Sequence, residues 1–242
     1  FGERRKPNSK KISERDKNLS SALQKRIEDI VLQNLIYIKR KYKVERLCIA
    51  GGVGLNCSLN GKIEKSKIFK EIFVQPASGD AGNAIGAVYL AMAKKNNNKL
   101  NIKKRTNYYL GSFAKKNEIF NALKKSKLKF KLSKNIYEET AKEIHRGKIV
   151  AWFQGRSEFG PRALGNRSIL CKPYPKSMKN YLNKRVKFRE SFRPFAPAVL
   201  KEFQDKFFKM KQDSPHMLIA CDVQKEAKNL IPAVVHIDNS CR

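Results

Sequence analysis

Three arginines in one glycine-rich segment form the most specific chemical pattern of the sequence. The segment is Gly155–Ser168, and within these fourteen residues Arg156, Arg162 and Arg167 stand among three glycines and one proline. Solvated faces usually carry lysine on regular elements, whereas arginines held in a glycine-rich loop favour bidentate recognition of a phosphate or a carboxylate. The segment therefore predicts an anion-binding loop.

A second basic segment, Lys187–Pro197, alternates cations with phenylalanine and ends in a proline-rich turn. Phenylalanine and proline would form a dry wall, beside which positive charges act strongly on a small anion. The same alternation is typical of surfaces that stack on nucleic-acid bases. The prolines favour a rigid pocket over an open groove.

Two glycine turns each follow a short apolar run. Gly51–Asn56 comes directly after Arg46–Ala50, and Gly79–Gly82 follows Ile72–Gln75. Glycines after a strand let the backbone approach a ligand closely, and their amides can face phosphate oxygens. The first turn matches neither a P-loop nor a dinucleotide fingerprint, so a tight turn without a ligand is an equally good interpretation.

Asp80 lies between two glycines at the predicted start of a helix. A carboxylate at that place caps the helix or binds a metal ion, and the sequence leaves both roles open. Because the two turns leave neighbouring strands at their carboxyl ends, we expect them to converge on one bound nucleotide. The residues predicted to contact it are Gly51, Gly52, Val53, Asn56, Gly79 and Gly82 in the turns, and Arg156 and Arg167 in the glycine-rich loop.

Helices and strands alternate around these turns. Apolar residues at three- and four-residue steps over about Leu19–Lys41 predict an amphipathic helix that faces a core. Strands at Arg46–Ala50 and Ile72–Gln75, with a helix at roughly Asn83–Lys94, predict an α/β domain.

A polar connector that ends near Arg105 is the predicted domain boundary, which gives domains of residues 1–105 and 106–242. In the second domain, the pattern predicts a helix at Glu138–His145 and a strand at Lys148–Gln154.

Composition limits the class of protein. The chain has 242 residues and a formal net charge of +32, and its hydrophobic content of 41% excludes a wholly disordered chain. No apolar run approaches the ~20 residues that cross a bilayer. The charge is compatible with a nucleic-acid partner, but scattered lysines indicate compositional bias as its main source. Five cysteines without a Cys-x-x-Cys pair favour the cytoplasm over a disulfide framework or a zinc site.

With these motifs the sequence resembles the O-carbamoyltransferases that modify nodulation factors and antibiotics. The resemblance rests on both glycine turns, on both basic segments and on Pro232–Arg242 at the C-terminus, and it covers essentially the whole chain. It implies the C-terminal half of an actin-, hexokinase- and heat-shock-ATPase-like domain, followed by a YrdC-like, carbamoyladenylate-forming domain with α+β character. The chain starts at Phe1, and the resemblance implies that it is an internal fragment.

The resemblance also implies a reaction. Such enzymes form carbamoyladenylate from carbamoyl phosphate and ATP, and then transfer the carbamoyl group to a hydroxyl of a small acceptor beside iron(II) or another divalent metal. Asp80 corresponds to a metal ligand whose two histidine partners are expected upstream of this chain. The residues that correspond to carbamoyl-phosphate ligands are Arg162, Lys187, Arg193 and Arg242.

The last motif differs from the family pattern, and an alternative function competes with this interpretation. In the last motif, Asn239 and Ser240 stand where relatives usually have glycine and threonine. The charge supports an alternative function, a basic RNA-binding protein related to the tRNA threonylcarbamoyladenosine-modification enzymes. Binding to tRNA with a steep inverse dependence on salt would favour that alternative.

Overall fold

A long helix opens the computed structural model, which describes residues 12–99 and 107–242. Helix α1 spans Glu14–Tyr42 and begins at a capping box: the Ser13 hydroxyl accepts from the Asp16 N–H, and the Asp16 carboxylate accepts from the Ser13 N–H at 2.8 Å. Since this cap precedes the apolar stripe, the helix begins five residues before its predicted start at Leu19.

Two parallel strands follow α1. Strand β1 (Arg46–Ile49) pairs with β2 (Glu71–Val74), with Arg46 opposite Glu71. A short 3-10 turn at Gly52–Leu55 and helix α2 (Cys57–Ser66) connect them. After β2 comes a second 3-10 turn, Asp80–Gly82, and then helix α3 (Asn83–Lys95). The predicted alternation of strand, turn and helix is confirmed.

The rest of the described chain consists of short helices and two antiparallel strand pairs. Strand β3 (Val150–Phe153) pairs with β4 (Arg167–Leu170), and the glycine-rich segment is the connection between them. The remaining elements are helices α4 (Lys116–Lys125), α5 (Ile136–His145), α6 (Met178–Arg185) and α7 (Gln204–Phe207), and the antiparallel strands β5 (Cys221–Asp222) and β6 (Ser240–Cys241). This mixture of helices and small sheets is consistent with the α/β class.

The hydrophobic core joins the two ends of the chain. Leu35 of α1, Ile63 of α2 and Ile72 of β2 are buried in one cluster with apolar side chains between Phe208 and Cys241. The predicted stripe of α1 therefore faces a core in its C-terminal half, whereas Leu23 near its start is 63% exposed. The predicted domain boundary near residue 105 lies outside the described residues and stays a prediction.

Helix α3 differs from α1 because it has no buried residue, although most of its side chains are apolar. Val88, Leu90 and Met92 are all exposed. Over residues 12–99 and 107–242, no helix is both long and apolar enough to cross a membrane.

Candidate functional site

The two glycine turns lie against each other beyond the ends of β1 and β2. A Cβ atom on Gly54 would lie 3.1 Å from the side chain of Ser78, and one on Gly79 would lie 3.9 Å from Leu55 Cδ1. Gly51 has a φ of +96°, a conformation that glycine adopts without steric cost. The prediction that the turns converge is confirmed, because parallel strands bring their carboxyl ends to the same edge.

Polar atoms behind these turns lack partners. The Ser78 hydroxyl and Asn60 Oδ1 are buried and form no hydrogen bond within the described chain. Asn60 is 0% exposed, and its Nδ2 donates to the carbonyl oxygens of Gly54 and Leu218, both at 2.8 Å. Asn60 therefore holds the first turn against the C-terminal part of the chain.

Asn56, a predicted nucleotide contact, has local partners for its whole amide. Its Oδ1 caps α2 by accepting from the Leu59 N–H at 3.1 Å, and its Nδ2 donates to Gln24 Oε1 at 2.9 Å. Gly51, Gly52 and Val53 are exposed.

Asp80 is exposed at the first position of its 3-10 turn. In the part of the chain that the structure describes, no three His, Cys, Asp or Glu side chains come together as a metal-binding group. The side chains described here therefore do not fit a metal ion by themselves, and Asp80 is a single carboxylate at the edge of the turns. The two histidines that the resemblance implies are not part of this chain.

A partly buried carboxylate shapes the glycine-rich loop. Glu158 Oε1 accepts from the backbone N–H groups of Leu164, Asn166 and Arg167 at 2.7, 2.8 and 3.2 Å. Burial raises the pKa of Glu158, but these N–H groups outweigh that effect and hold the pKa below its usual range. Glu158 is thus ionised and ties the two ends of the segment around Arg162.

Arg156 and Arg167 bind backbone carbonyl groups. Arg167 donates to the carbonyl oxygens of Gln154 at 2.7 Å and of Gly155 at 3.2 Å, and its guanidinium stacks on the Phe153 ring at 3.5 Å. Arg156 donates to the carbonyl oxygen of Gly111 at 3.1 Å. In the structure both arginines hold the loop in place, and their predicted contact with a nucleotide stays a prediction.

The remaining predicted arginines form a cluster. Burial lowers the pKa of Arg162, and the nearby charge of Arg242 lowers it further. Burial also lowers the pKa of Arg189, with further contributions from Arg193 and Arg242. Arg242 therefore lies within electrostatic reach of both Arg162 and Arg189, and Arg193 within reach of Arg189, although the four residues come from three separate segments.

Carboxylates are scarce around this cluster. Within residues 12–99 and 107–242, neither Arg162 nor Arg242 has an ion pair, and the Nε of Arg162 is buried without an acceptor. Arg193 Nε lies 2.8 Å from Glu190 Oε2 at the surface. A group of like charges with so little compensation is suited to bind an anion of high charge density such as a phosphate. Lys187 is exposed at the start of the second basic segment, without a described contact to the cluster.

The glycine-rich loop also contacts the segment that leads into the second glycine turn. Gly160 has a φ of +117°, and a Cβ atom there would lie 2.8 Å from the carbonyl oxygen of Pro76. Cys57, the first residue of α2, is close enough to Arg162 to influence its pKa. The structure therefore joins the arginine cluster and the glycine turns into one candidate site.

The two departures in the last motif preserve its geometry. Asn239 has a φ of 65°, in the left-handed region where asparagine is tolerated almost as glycine is. Ser240 donates its hydroxyl to Asp238 Oδ1 at 2.7 Å and its N–H to the same oxygen at 3.0 Å, as threonine would. The turn therefore still places Arg242 directly after β6.

Three residues of this region had no role in the sequence prediction. Glu158 and Arg189 lie inside the two basic segments. The position of Glu158, a carboxylate among glycines, could have indicated that it binds backbone N–H groups of the loop. Asn183, at the C-terminal end of α6, is completely buried. No local pattern identifies it, since its partners follow it in an irregular segment.

Comparisons with known proteins identify the family of the chain. Residues 1–89 match the family model described as the carbamoyltransferase N-terminus, and residues 141–242 match that of the carbamoyltransferase C-terminus. The chain is 38% identical over 237 residues to nodulation protein NolNO of Sinorhizobium fredii, covering 96% of this chain and 35% of that protein. It is 37% identical over 237 residues to nodulation protein NolO of Bradyrhizobium diazoefficiens, covering 96% and 43%.

A third relative is uncharacterized protein sll1178 of Synechocystis, 36% identical over 271 residues, which cover 100% of this chain and 44% of that protein. The chain thus spans less than half the length of these three relatives.

Proposed function

The chain belongs to the carbamoyltransferase family, and from that membership we propose that it carries the carbamoyl-phosphate site of an ATP-dependent O-carbamoyltransferase. The observation that supports this function best is the cluster of Arg162, Arg189, Arg193 and Arg242, in which a single ion pair, Arg193 with Glu190, is found among the described residues. The guanidinium groups offset the charge of a phosphate dianion and stabilise the charge that develops on its departing oxygens.

The proposed chemistry has two stages. Water releases phosphate from carbamoyl phosphate, and an oxygen of the resulting carbamate displaces pyrophosphate from the α-phosphorus of ATP, which forms carbamoyladenylate. The hydroxyl oxygen of a small acceptor then attacks the carbamoyl carbon, AMP leaves with the electrons of the broken bond, and the hydroxyl proton passes to solvent.

ATP is assigned to the neighbourhood of the glycine turns. Gly51, Gly52 and Val53 are exposed there, and the contact between Gly160 and Pro76 brings the arginine loop to the same place. The finer fold assignment belongs to this proposal as well: an ATPase-like part with the glycine turns and a YrdC-like part with the arginines. Iron(II) at Asp80 would need further ligands, and residues 12–99 and 107–242 bring no other His, Cys, Asp or Glu pair to it, so no step is assigned to a metal.

The test is the release of pyrophosphate from ATP by the complete protein, measured with and without carbamoyl phosphate. Arg162→Ala is expected to lower the carbamoyl-phosphate-dependent rate by about 100-fold, since it removes a charged donor aimed at the anion. Arg146→Ala is the matched control, because Arg146 is an arginine paired with Glu143 at the surface. An undiminished rate in Arg162→Ala would show that the donor site has been assigned wrongly.

A further inference from the structure

The basic segment after α6 is organised around one buried asparagine. Asn183 is 0% exposed. Its Nδ2 donates to the carbonyl oxygens of Ser191 at 3.3 Å and of Arg193 at 2.9 Å, while its Oδ1 accepts from Arg189 Nε at 2.7 Å. One amide thus holds the segment at three places.

Further bonds attach the segment to the same turn of α6. The Arg189 N–H donates to the Asn183 carbonyl oxygen at 3.0 Å, and the Lys187 N–H donates to that of Leu182 at 2.9 Å. Arg189 also donates to the carbonyl oxygen of Pro194 at 3.1 Å and lies over the Phe195 ring at 4.8 Å. Asn183 and Arg189 therefore bind each other and together span the segment.

Between Lys187 and Arg193 the segment has no aromatic anchor in the core. Phe188 is 83% exposed and Phe192 is 59% exposed, whereas Phe195, beyond this stretch, packs partly buried against the hydrophobic core. The charges of Arg193 and Arg242 disfavour the charged form of Arg189, and Glu190 offsets part of that effect. An unsupported loop with these charges would lose the fixed geometry that recognition of a phosphate requires.

We propose that Asn183 is a positioning residue that sets the backbone between Lys187 and Arg193 so that these two side chains meet the phosphate of the donor. This inference rests on the proposed function. Because Asn183 is completely buried and its amide is bonded to the segment, its effect on the donor is transmitted through the segment.

Asn183→Asp is the sharpest variant because it keeps the size of the side chain and the acceptor for Arg189. It replaces the donor Nδ2 by an oxygen that faces two carbonyl oxygens. The matched control is Gln204→Glu, since Gln204 Nε2 also donates to two carbonyl oxygens, those of Met210 and Gln212 at 3.0 and 3.2 Å. Gln204 has no described contact with the arginine cluster.

The complete protein is assayed for pyrophosphate release while carbamoyl phosphate and ATP are varied separately. Asn183→Asp is expected to raise the KM for carbamoyl phosphate about 10-fold and to leave the KM for ATP within about two-fold. The reason is that the buried carbonyl groups of the segment lose their hydrogen-bond donor, which disturbs the geometry of that segment alone. Gln204→Glu is expected to change neither KM beyond about two-fold at a comparable loss of thermal stability.

A double-mutant cycle with Arg193→Met tests whether Asn183 acts through the segment. In that background Asn183→Asp is expected to raise the KM for carbamoyl phosphate less than about two-fold, because coupled residues are not additive. A full 10-fold effect in both backgrounds, or equal rises of the two KM values, would overturn the positioning role. If Asn183→Asp does not fold, Asn183→Ala removes the same two Nδ2 bonds without placing a second oxygen against the carbonyl groups, and the same donor-specific rise is expected.

The two proposals fail in different ways. If the unmodified protein neither binds carbamoyl phosphate nor releases pyrophosphate in its presence, the proposed function is wrong and the inference falls with it. If the unmodified protein is active and Asn183→Asp lowers only the melting temperature, the function stands and the inference is overturned.

Discussion

Arg162 and Arg167 lie five residues apart on one loop, yet their guanidinium groups meet different partners. Arg167 donates to backbone carbonyl oxygens, whereas Arg162 has a buried Nε without an acceptor. A guanidinium carries five N–H donors. A buried N–H donor without an acceptor is unfavourable, unless a bound ligand supplies the acceptor. Residue type thus predicts the class of ligand, while the local partners decide which arginine is available to bind it.

Glu190 pairs with Arg193, so under the proposed function it would compete with the donor for this side chain. We expect Glu190→Gln to free the Arg193 guanidinium and to lower the KM for carbamoyl phosphate by up to about five-fold, the equivalent of ~1 kcal/mol for an exposed ion pair. The measurement is the KM at low and at high salt, and the effect should shrink as salt screens the pair.

Glu143→Gln controls for the change in net charge, because Glu143 pairs with Arg146 and Lys148 at the surface. An unchanged or higher KM in Glu190→Gln would argue against a phosphate at Arg193.

Helix α2 connects the glycine turns to the C-terminal part of the chain through a close backbone contact. The Ala220 N–H donates to the Cys57 carbonyl oxygen at 3.0 Å, and a Cβ atom on Gly61 would collide with the carbonyl oxygen of Ala220. Only glycine leaves room for this approach. The capping Asn56 indicates from the sequence where α2 begins. The contact between Gly61 and Ala220, 159 residues apart, results from tertiary packing.

Two glycines in helices give a matched pair of substitutions. Gly61→Ala is expected to lower the free energy of unfolding by about 1–3 kcal/mol, because the new methyl group meets a backbone carbonyl that cannot easily move. A Cβ atom on Gly86 in α3 would meet nothing within 4 Å. Gly86→Ala is therefore expected to raise the free energy of unfolding by about 0.5–1 kcal/mol. Urea unfolding of both variants measures the difference. Equal effects would mean that the contact of α2 with Ala220 is absent in solution.

The main hydrophobic core joins the first and last parts of the described chain, with buried side chains from Leu35 to Ile72 and from Phe208 to Cys241. Ile63 of α2 is 2% exposed and lies in the same buried cluster as Val223 and Ile231. The arginine cluster depends on this arrangement, since Arg242 directly follows the buried Cys241. The first and last parts of the described chain are therefore expected to unfold together.

Ile63→Ala tests this coupling. The cavity is expected to lower the free energy of unfolding by about 2–5 kcal/mol, and the loss of stability should extend to the distant strand pair β5–β6. Hydrogen exchange at the Ala220 and Val223 amides, which donate to Cys57 and Asn239, reports on that pair. Ile136→Ala, at a side chain 50% exposed, should change stability by less than about 0.5 kcal/mol. Full protection at Ala220 and Val223 in Ile63→Ala would contradict a shared core.

Local patterns in the sequence predicted the features that depend on a few neighbouring residues: the long amphipathic helix, the strands β1, β2 and β3, the two glycine turns, and the arginine-rich loop as an anion-binding candidate. Periodicity and glycine placement encode these features, because they follow from φ and ψ preferences and from side-chain direction. The same patterns missed α4, α6 and β4, which have short or polar sequences.

The resemblance had already assigned Arg162, Arg193 and Arg242 to one ligand. Tertiary structure alone decided that Arg189 lies near Arg193 and Arg242, that Arg167 holds carbonyl groups, and that Asn183 supports the second basic segment. Contacts such as that between Asn60 and Leu218 join residues 158 positions apart. No local preference specifies such pairs, because they form only when the packing of the common core brings distant segments together.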